Sequence, residues 1–291
     1  ITSDDKESSL IFESFYTPPT TTIYIKKFVA RIITLESITG TFAVGQTITK
    51  GTGGNTTVAT ILASSGEGAS AITIGPSTIN GSGAEFTDGD AVTGSGGASG
   101  TVSTGGVGSA TNEFAYSTTT AGGTYNLYLT DTLTVFNDRI YRFDNSDSSM
   151  SGLDWSLSAT VNGEWGPDNT AGTEDDGTEY TTGRTVVGTA GSGGTAYIQY
   201  DFSQGTPPDT LYTYEGTTGT AANSGYGGSD RSISVSNAPT YTEFYAYDID
   251  GTWTNSTDTF TVSGVTYTVT AQTAGPYGYV RKYDGTSLYV V

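Results

Sequence analysis

"LYTYEGTTGTAANSGYGG", residues 211–228, runs from an alternating strand, Leu211-Tyr212-Thr213-Tyr214, into a glycine-rich turn that ends on an aromatic and two glycines. A period of two puts successive side chains on opposite faces of a sheet. The same pattern recurs in "TIYIKKFVARIITLE" (22–36), "TYNLYLTD" (124–131), "GTAYIQYDF" (194–202), "TEFYAYDIDG" (242–251) and "TFTVSGVTYTVTA" (259–271). The runs are rich in Tyr, Thr, Val and Ile, and each reaches Gly, Asn or Asp within a few residues of its end. That pattern predicts an all-β chain with no significant helix. At 291 residues, tandem small β-sandwich or β-barrel modules are expected rather than one large one.

Composition removes most site chemistry. The chain has no Cys, no His and a single Met. A Cys nucleophile, a His general base and a His- or Cys-liganded zinc, copper or haem centre are therefore excluded. No disulfide can brace the fold. Eleven cations stand against thirty carboxylates, for a net charge of −19 and a pI near 4.1. Such a surface repels phosphate backbones, so no nucleic-acid partner is expected. No run approaches the ~20 apolar residues of a spanning helix, so no membrane insertion is expected. Charged residues make up only 14 % of the chain, leaving a neutral Thr, Ser and Gly surface of the kind that suits extracellular and virion proteins.

The chain divides by pattern. Residues 1–36 read as an N-terminal arm and first strand, stiffened by "YTPPTTT" and carrying Lys6, Lys26, Lys27 and Arg31. Residues 37–103 hold a duplicated hairpin. "TFAVGQTITKGTGGNTTV" (41–58) and "EFTDGDAVTGSGGASGTV" (85–102) align without gaps at a separation of 44. Phe42 meets Phe86, Gly45 meets Gly89, Ile48 meets Val92, Thr49 meets Thr93 and Val58 meets Val102. "STGGVGSATNEF" (103–114) reads as a flexible linker. Residues 104–236 form a middle β domain, and 237–291 a third domain or a closing sheet.

The repeat, with "IYRFDNSDSSMSG" (140–152), "GTEYTTGRTVVGTAGSGGTAYIQYDF" (177–202) and "PDTLYTYEGTTGTAANSGYGG" (208–228), resembles modules of tail-fibre and other virion proteins of marine tailed bacteriophages, cyanophages especially. In the family's middle module a Ser-Gly is followed by His, and the strand by Cys-x-x-His-x-x-Met-Gly-Gly, which is similar to a cupredoxin copper loop. The resemblance implies a cupredoxin-like sandwich here. It places the family's ligands at Leu153, Glu215, Thr218 and Tyr226, none of them a copper ligand. A scaffold without its metal and without a cofactor is the expectation.

Other candidates come from the residues themselves. Asp168, Glu174, Asp175 and Asp176 lie around two glycines in "GPDNTAGTEDDGTEY" (166–180), the composition of a solvated acidic loop at this pI and also a supply of oxygens from which a calcium site could be built. Trp155, Trp165, Trp253 and twenty Tyr could stack on a host-surface glycan, or simply fill cores and cross-strand pairs. No catalytic residue is identified. The expectation is a non-enzymatic structural protein on a phage particle's exterior, as capsid decoration, head or neck fibre, or tail appendage. Its partners would be copies of itself and other virion proteins, with Lys26, Lys27 and Arg31 as assembly contacts. The alternative is an extracellular adhesin or filament subunit of a microbial cell surface, adding its arm to the next subunit's sheet.

Overall fold

The computed structural model describes residues 20–66, 68–131, 133–217, 223 and 225–237, and the strands 259–262, 265–268, 280–283 and 288–290. Two compact units divide the chain: residues 18–238, and residues 1–17 with 239–291. In the second, β16 (Thr259–Val262) pairs with β17 (Val265–Thr268), and β18 (Val280–Tyr283) with β19 (Leu288–Val290), both antiparallel. The larger unit is all β. Its described helical segments are single turns of three residues.

A single strand organises that unit. β1 (Thr20–Thr39) alternates Ile23, Ile25 and then Ile33, Leu35 into cores, and β-branched residues along it favour the extended backbone. Its second half closes a barrel. β1 pairs with β4 (Ala71–Ile74), β4 with β3 (Asn55–Ser64), β3 with β2 (Thr47–Thr52), β2 with β6 (Ala91–Gly94) and β6 with β7 (Ser99–Val107), and β7 returns to β1. All six contacts are antiparallel, and closure removes the free edges that would invite aggregation. β5 (Thr78–Ile79) adds a short pairing on β3. The barrel is filled by Ile33, Leu35, Phe42, Ile48, Ile61, Ile72, Ile74, Phe86, Val92 and Val102.

The first half of β1 belongs to a sandwich. One sheet runs β12 (Arg184–Val187), β13 (Tyr197–Asp201), β10 (Ile140–Asp144), β1, with β8 (Thr111–Ser117) on the far side of β1. The facing sheet runs β11 (Trp155–Ser158), β14 (Thr210–Glu215), β15 (Ser232–Ser236), β9 (Val135–Phe136). β1–β10 and β15–β9 are parallel, and the other ladders are antiparallel. Aromatics dominate the space between: Phe114, Tyr116, Tyr141, Phe143, Trp155, Tyr200 and Phe202. Period-two runs over 124–131 and 194–202 thus report two different things. The second is strand β13, whereas in the first Tyr125 and Leu127 pack against Ala30 of β1 and Leu62 of β3, where barrel meets sandwich.

Two readings need correction. The stretch 103–114 is not a linker: Ser103–Val107 continue β7 and Thr111–Phe114 start β8. β7 and β8 follow β1 one after the other, from Thr39↔Ser99 to Tyr24↔Ser117, as one bent partner strand. The glycines read as flexibility serve the bend: Gly105 takes φ +68°, and Gly108 N–H binds Ile32 O at 2.9 Å. The gapless alignment also fails at the closing strands. Gly45 N–H binds Ile61 O at 2.9 Å, whereas Gly89 N–H binds Val102 O at 2.8 Å. Val102 therefore corresponds to Ile61, not Val58, because the second hairpin turns sooner. The first half of the alignment holds. Thr49 lies opposite Thr93, with Ile48↔Gly94 and Lys50↔Val92 on either side, so a local pseudo-dyad passes through that pair.

Candidate functional site

The positions that the copper-loop resemblance points to lie at one end of the sandwich. β14 ends at Glu215, opposite Trp155 of β11, two residues after Leu153. Glu215 is 1 % exposed, a costly place for a carboxylate unless donors surround it. They do. Its Oε1 accepts from Asp154 N–H at 2.9 Å and Thr217 N–H at 3.0 Å. Its own N–H binds Asn223 Oδ1 at 2.8 Å, and Asn223 Nδ2 binds Asn162 Oδ1 at 3.1 Å, both side chains buried. Trp165 Nε1 donates to Glu215 O at 3.1 Å. Leu153 is half-buried against the sandwich core, and Tyr226 packs on Phe114 with ring centroids 4.6 Å apart. Burial first, then the Glu215 and Glu113 charges, push the Tyr226 phenol up to about 12. Thr218 lies outside the described residues. A satisfied polar network and two apolar contacts occupy this end. No residue of the network is a soft ligand.

Beside that network is a second cluster that the sequence pattern does not single out. Tyr214 lies flat on Gly163, where any Cβ would come within 2.6 Å of its ring and φ is +59°. Its hydroxyl reaches Glu164 Oε2 at 3.3 Å. Across from it, Arg184 on the edge strand β12 sets Nε 2.8 Å from Glu179 Oε1 and Nη2 3.7 Å from Asp154 Oδ1, tying the edges of the two sheets. Ser156 Oγ also donates to Glu179 Oε1 at 2.9 Å. Burial, outweighing the attraction of Arg184 and helped by Glu179, Glu215 and Glu164, raises the Asp154 carboxyl above its ordinary range. Tyr214 and Tyr200 are raised as well, both mainly by burial.

The acidic loop closes on itself. Asp168 Oδ1 accepts from Thr170 N–H at 2.8 Å, Asp175 Oδ2 from Asp168 N–H at 3.1 Å, and Asp176 Oδ2 from Gly172 N–H at 2.6 Å. The Thr173 hydroxyl lies 2.7 Å from Asp175 Oδ1 and 3.1 Å from Asp176 Oδ1. Glu174 is exposed. Among the described residues no set of three or more acidic side chains is arranged to hold a metal ion. Of the aromatics offered for a glycan, Trp155 is fully buried, Trp165 is half-buried, and Trp253 lies outside the described residues.

The three assembly cations all sit on β1, half-buried. Lys26 Nζ is 3.1 Å from Asp147 Oδ2 and 5.2 Å from the Tyr125 ring centroid. Lys27 N–H binds Ser149 Oγ at 3.0 Å, and Arg31 pairs with Ile74 across the barrel seam. Among the described residues no helix is long and apolar enough to cross a membrane. Compared with protein-family models, with curated proteins and with solved structures, the chain finds no match in any of the three.

Proposed function

We propose that this chain is a non-catalytic structural protein of a tailed-phage particle, exposed on the particle's exterior and acting by assembly with its own copies and with other virion proteins. The observation that carries the reading is the β1 strand, shared by barrel and sandwich and flanked along its length by β7 and β8. Two modules joined by a continuous antiparallel ribbon make a stiff spacer, and decoration or fibre proteins need stiffness more than a cleft. The phage-like motifs around 41–102 and 140–228 supply the particle, and the neutral Thr, Ser and Gly surface suits its exterior. The network around Glu215 fits a retained cupredoxin-like scaffold. The test is to raise antibody against the purified chain and probe gradient-purified particles from the producing culture. Regular surface labelling, with peptides of this chain at a fixed ratio to the capsid protein, is the expected result. Label confined to cell envelopes would replace this reading with the adhesin.

A further inference from the structure

An asparagine followed by glycine occurs at Asn80–Gly81 and at Asn162–Gly163. Such a step carries its own chemistry. The amide nitrogen of the second residue can attack the asparagine Cγ, and glycine, with no Cβ in the way, allows the closest approach. The new N–C bond closes a cyclic imide, and Nδ2 leaves as ammonia with the proton that the attacking amide gives up. Water then opens the ring at either carbonyl, leaving aspartate or isoaspartate, the latter with its backbone routed through the side chain.

The fold treats the two steps differently. Asn162 is 7 % exposed. Its Nδ2 donates to Gly166 O at 3.1 Å, its Oδ1 accepts from Asn223 Nδ2 at 3.1 Å, and Gly163 N–H binds Thr160 O at 3.0 Å under the Tyr214 ring. Nucleophile and target are both held, away from water. Asn80 and Gly81 are both exposed, in the turn after β5 that Gly83 N–H closes on Asn80 O at 3.0 Å. Gly81 takes φ +59°, and its N–H bonds to no other described residue. The Asn80 amide is tethered by a surface bond, Nδ2 to Thr56 Oγ1 at 3.1 Å, for which water competes.

We propose that Asn80 is a site of self-modification, converting to aspartate and isoaspartate in the folded chain with water as the co-reactant, while the fold keeps Asn162 intact. Aspartate adds a negative charge that the Thr56 hydroxyl can turn to meet. Isoaspartate adds a backbone carbon between two bonds, Asn80 N–H to Thr56 O at 2.8 Å and Ser82 N–H to Asn55 Oδ1 at 3.0 Å. It therefore loosens this turn from the tip of the β2–β3 hairpin. The change is one-way, so the fraction converted records the age of the folded chain.

The inference stands apart from the assembly reading, which particle labelling tests separately. The full chain is incubated in mildly alkaline buffer, native and unfolded in guanidinium chloride, and peptide mass mapping follows amide-to-acid conversion at both steps. Native Asn80 should convert at least about tenfold faster than native Asn162, which reacts only when its segment opens. Unfolding should bring the two to similar rates. Asn80→Gln, an exposed change that keeps an amide, should abolish conversion in the peptide containing position 80. Native Asn80 staying intact while the unfolded chain converts, or native Asn162 keeping pace with Asn80, would overturn the proposal.

Discussion

Trp155 donates its indole N–H to the Tyr116 hydroxyl at 3.0 Å, and both side chains are wholly buried. The bond joins β11 of one sheet to β8 of the other, with the rings edge-to-face at 6.4 Å and 71°. Apolar contact does little to fix the relative slide of two sheets; a directional bond between them, like the ion pairs Arg184–Asp154 and Arg231–Glu113, does. Tyr116→Phe keeps the ring and strands the indole N–H in an apolar core. The expected loss is ~1–3 kcal/mol, read from urea unfolding. An unchanged midpoint would show that the bond contributes nothing.

Phe42 and Phe86 are 2 % and 3 % exposed and fill the same barrel core, as equivalent anchors of the two repeats. Each precedes a turn closed by a left-handed glycine, Gly45 at φ +82° and Gly89 at φ +80°. Phe→Ala at either position should cost ~3–5 kcal/mol. The two losses should be similar, because the pseudo-dyad gives the rings similar surroundings. A large cost at one and none at the other would break the equivalence.

That repeat was legible because hairpin chemistry is local: an aromatic anchor, a glycine turn and a short strand all fall within a few residues. What is set at long range was not. Nothing in "TIYIKKFVARIITLE" says that Ile23 will pair in parallel with Phe143 while Ile33 faces Ile72 in a different module. The glycines of 103–108 carry the composition of a linker, yet they bend a continuous strand, a distinction that only the partner β1 decides. The cluster around Arg184 and Tyr214 was illegible for the same reason, since Asp154, Glu164, Glu179 and Arg184 are scattered along the sequence and are brought to one end of the sandwich only when β11, β12 and β14 are in place. Acid-rich "GTEDDG" draws the eye instead, because its carboxylates are neighbours in sequence.

Stability should peak under mildly acidic conditions. Burial raises the Glu113 carboxyl despite its 2.6 Å contact with Arg231, and burial likewise raises Asp154. A carboxyl whose folded value is raised contributes stability that is full below its unfolded value and lost as pH climbs through the folded one. Asp90 and Asp147 behave oppositely. Burial pushes both up, but bonds from Lys50 and Thr87 to Asp90, and from Ser149 and Lys26 to Asp147, more than offset it and hold them low. Their contribution is present above the ordinary carboxylate range and lost as pH falls through their lowered values. Self-repulsion from a charge of −19 also eases on acidification. The melting temperature should therefore rise as the pH is lowered from 7 toward the ordinary carboxylate range, and fall again as it drops below that range through the lowered values of Asp90 and Asp147. A steady decline from pH 7 downward would contradict the assignment of Glu113 and Asp154.

Truncation separates the arm from the fold. β1 begins at Thr20, which pairs with Ile140, so removing residues 1–19 leaves every described pairing of the barrel and sandwich intact. Removing residues 1–30 is a different operation. It deletes the five-residue parallel ladder with β10, the seven-residue ladder with β8, and the buried Ile23, Ile25 and Ala30. The two isoleucines alone bury ~1.5–3 kcal/mol each, and the loss of a central strand exposes both faces of its neighbours, against a total stability of ~5–15 kcal/mol. The shorter deletion should melt within a few degrees of the parent; the longer one should give no cooperative transition. If residues 1–19 carry the intermolecular contact expected of the arm, the shorter deletion stays folded and fails to enter particles. Incorporation at the parent's level would move assembly elsewhere, and the half-buried Lys27 and Arg31 on β1 become the next positions to substitute.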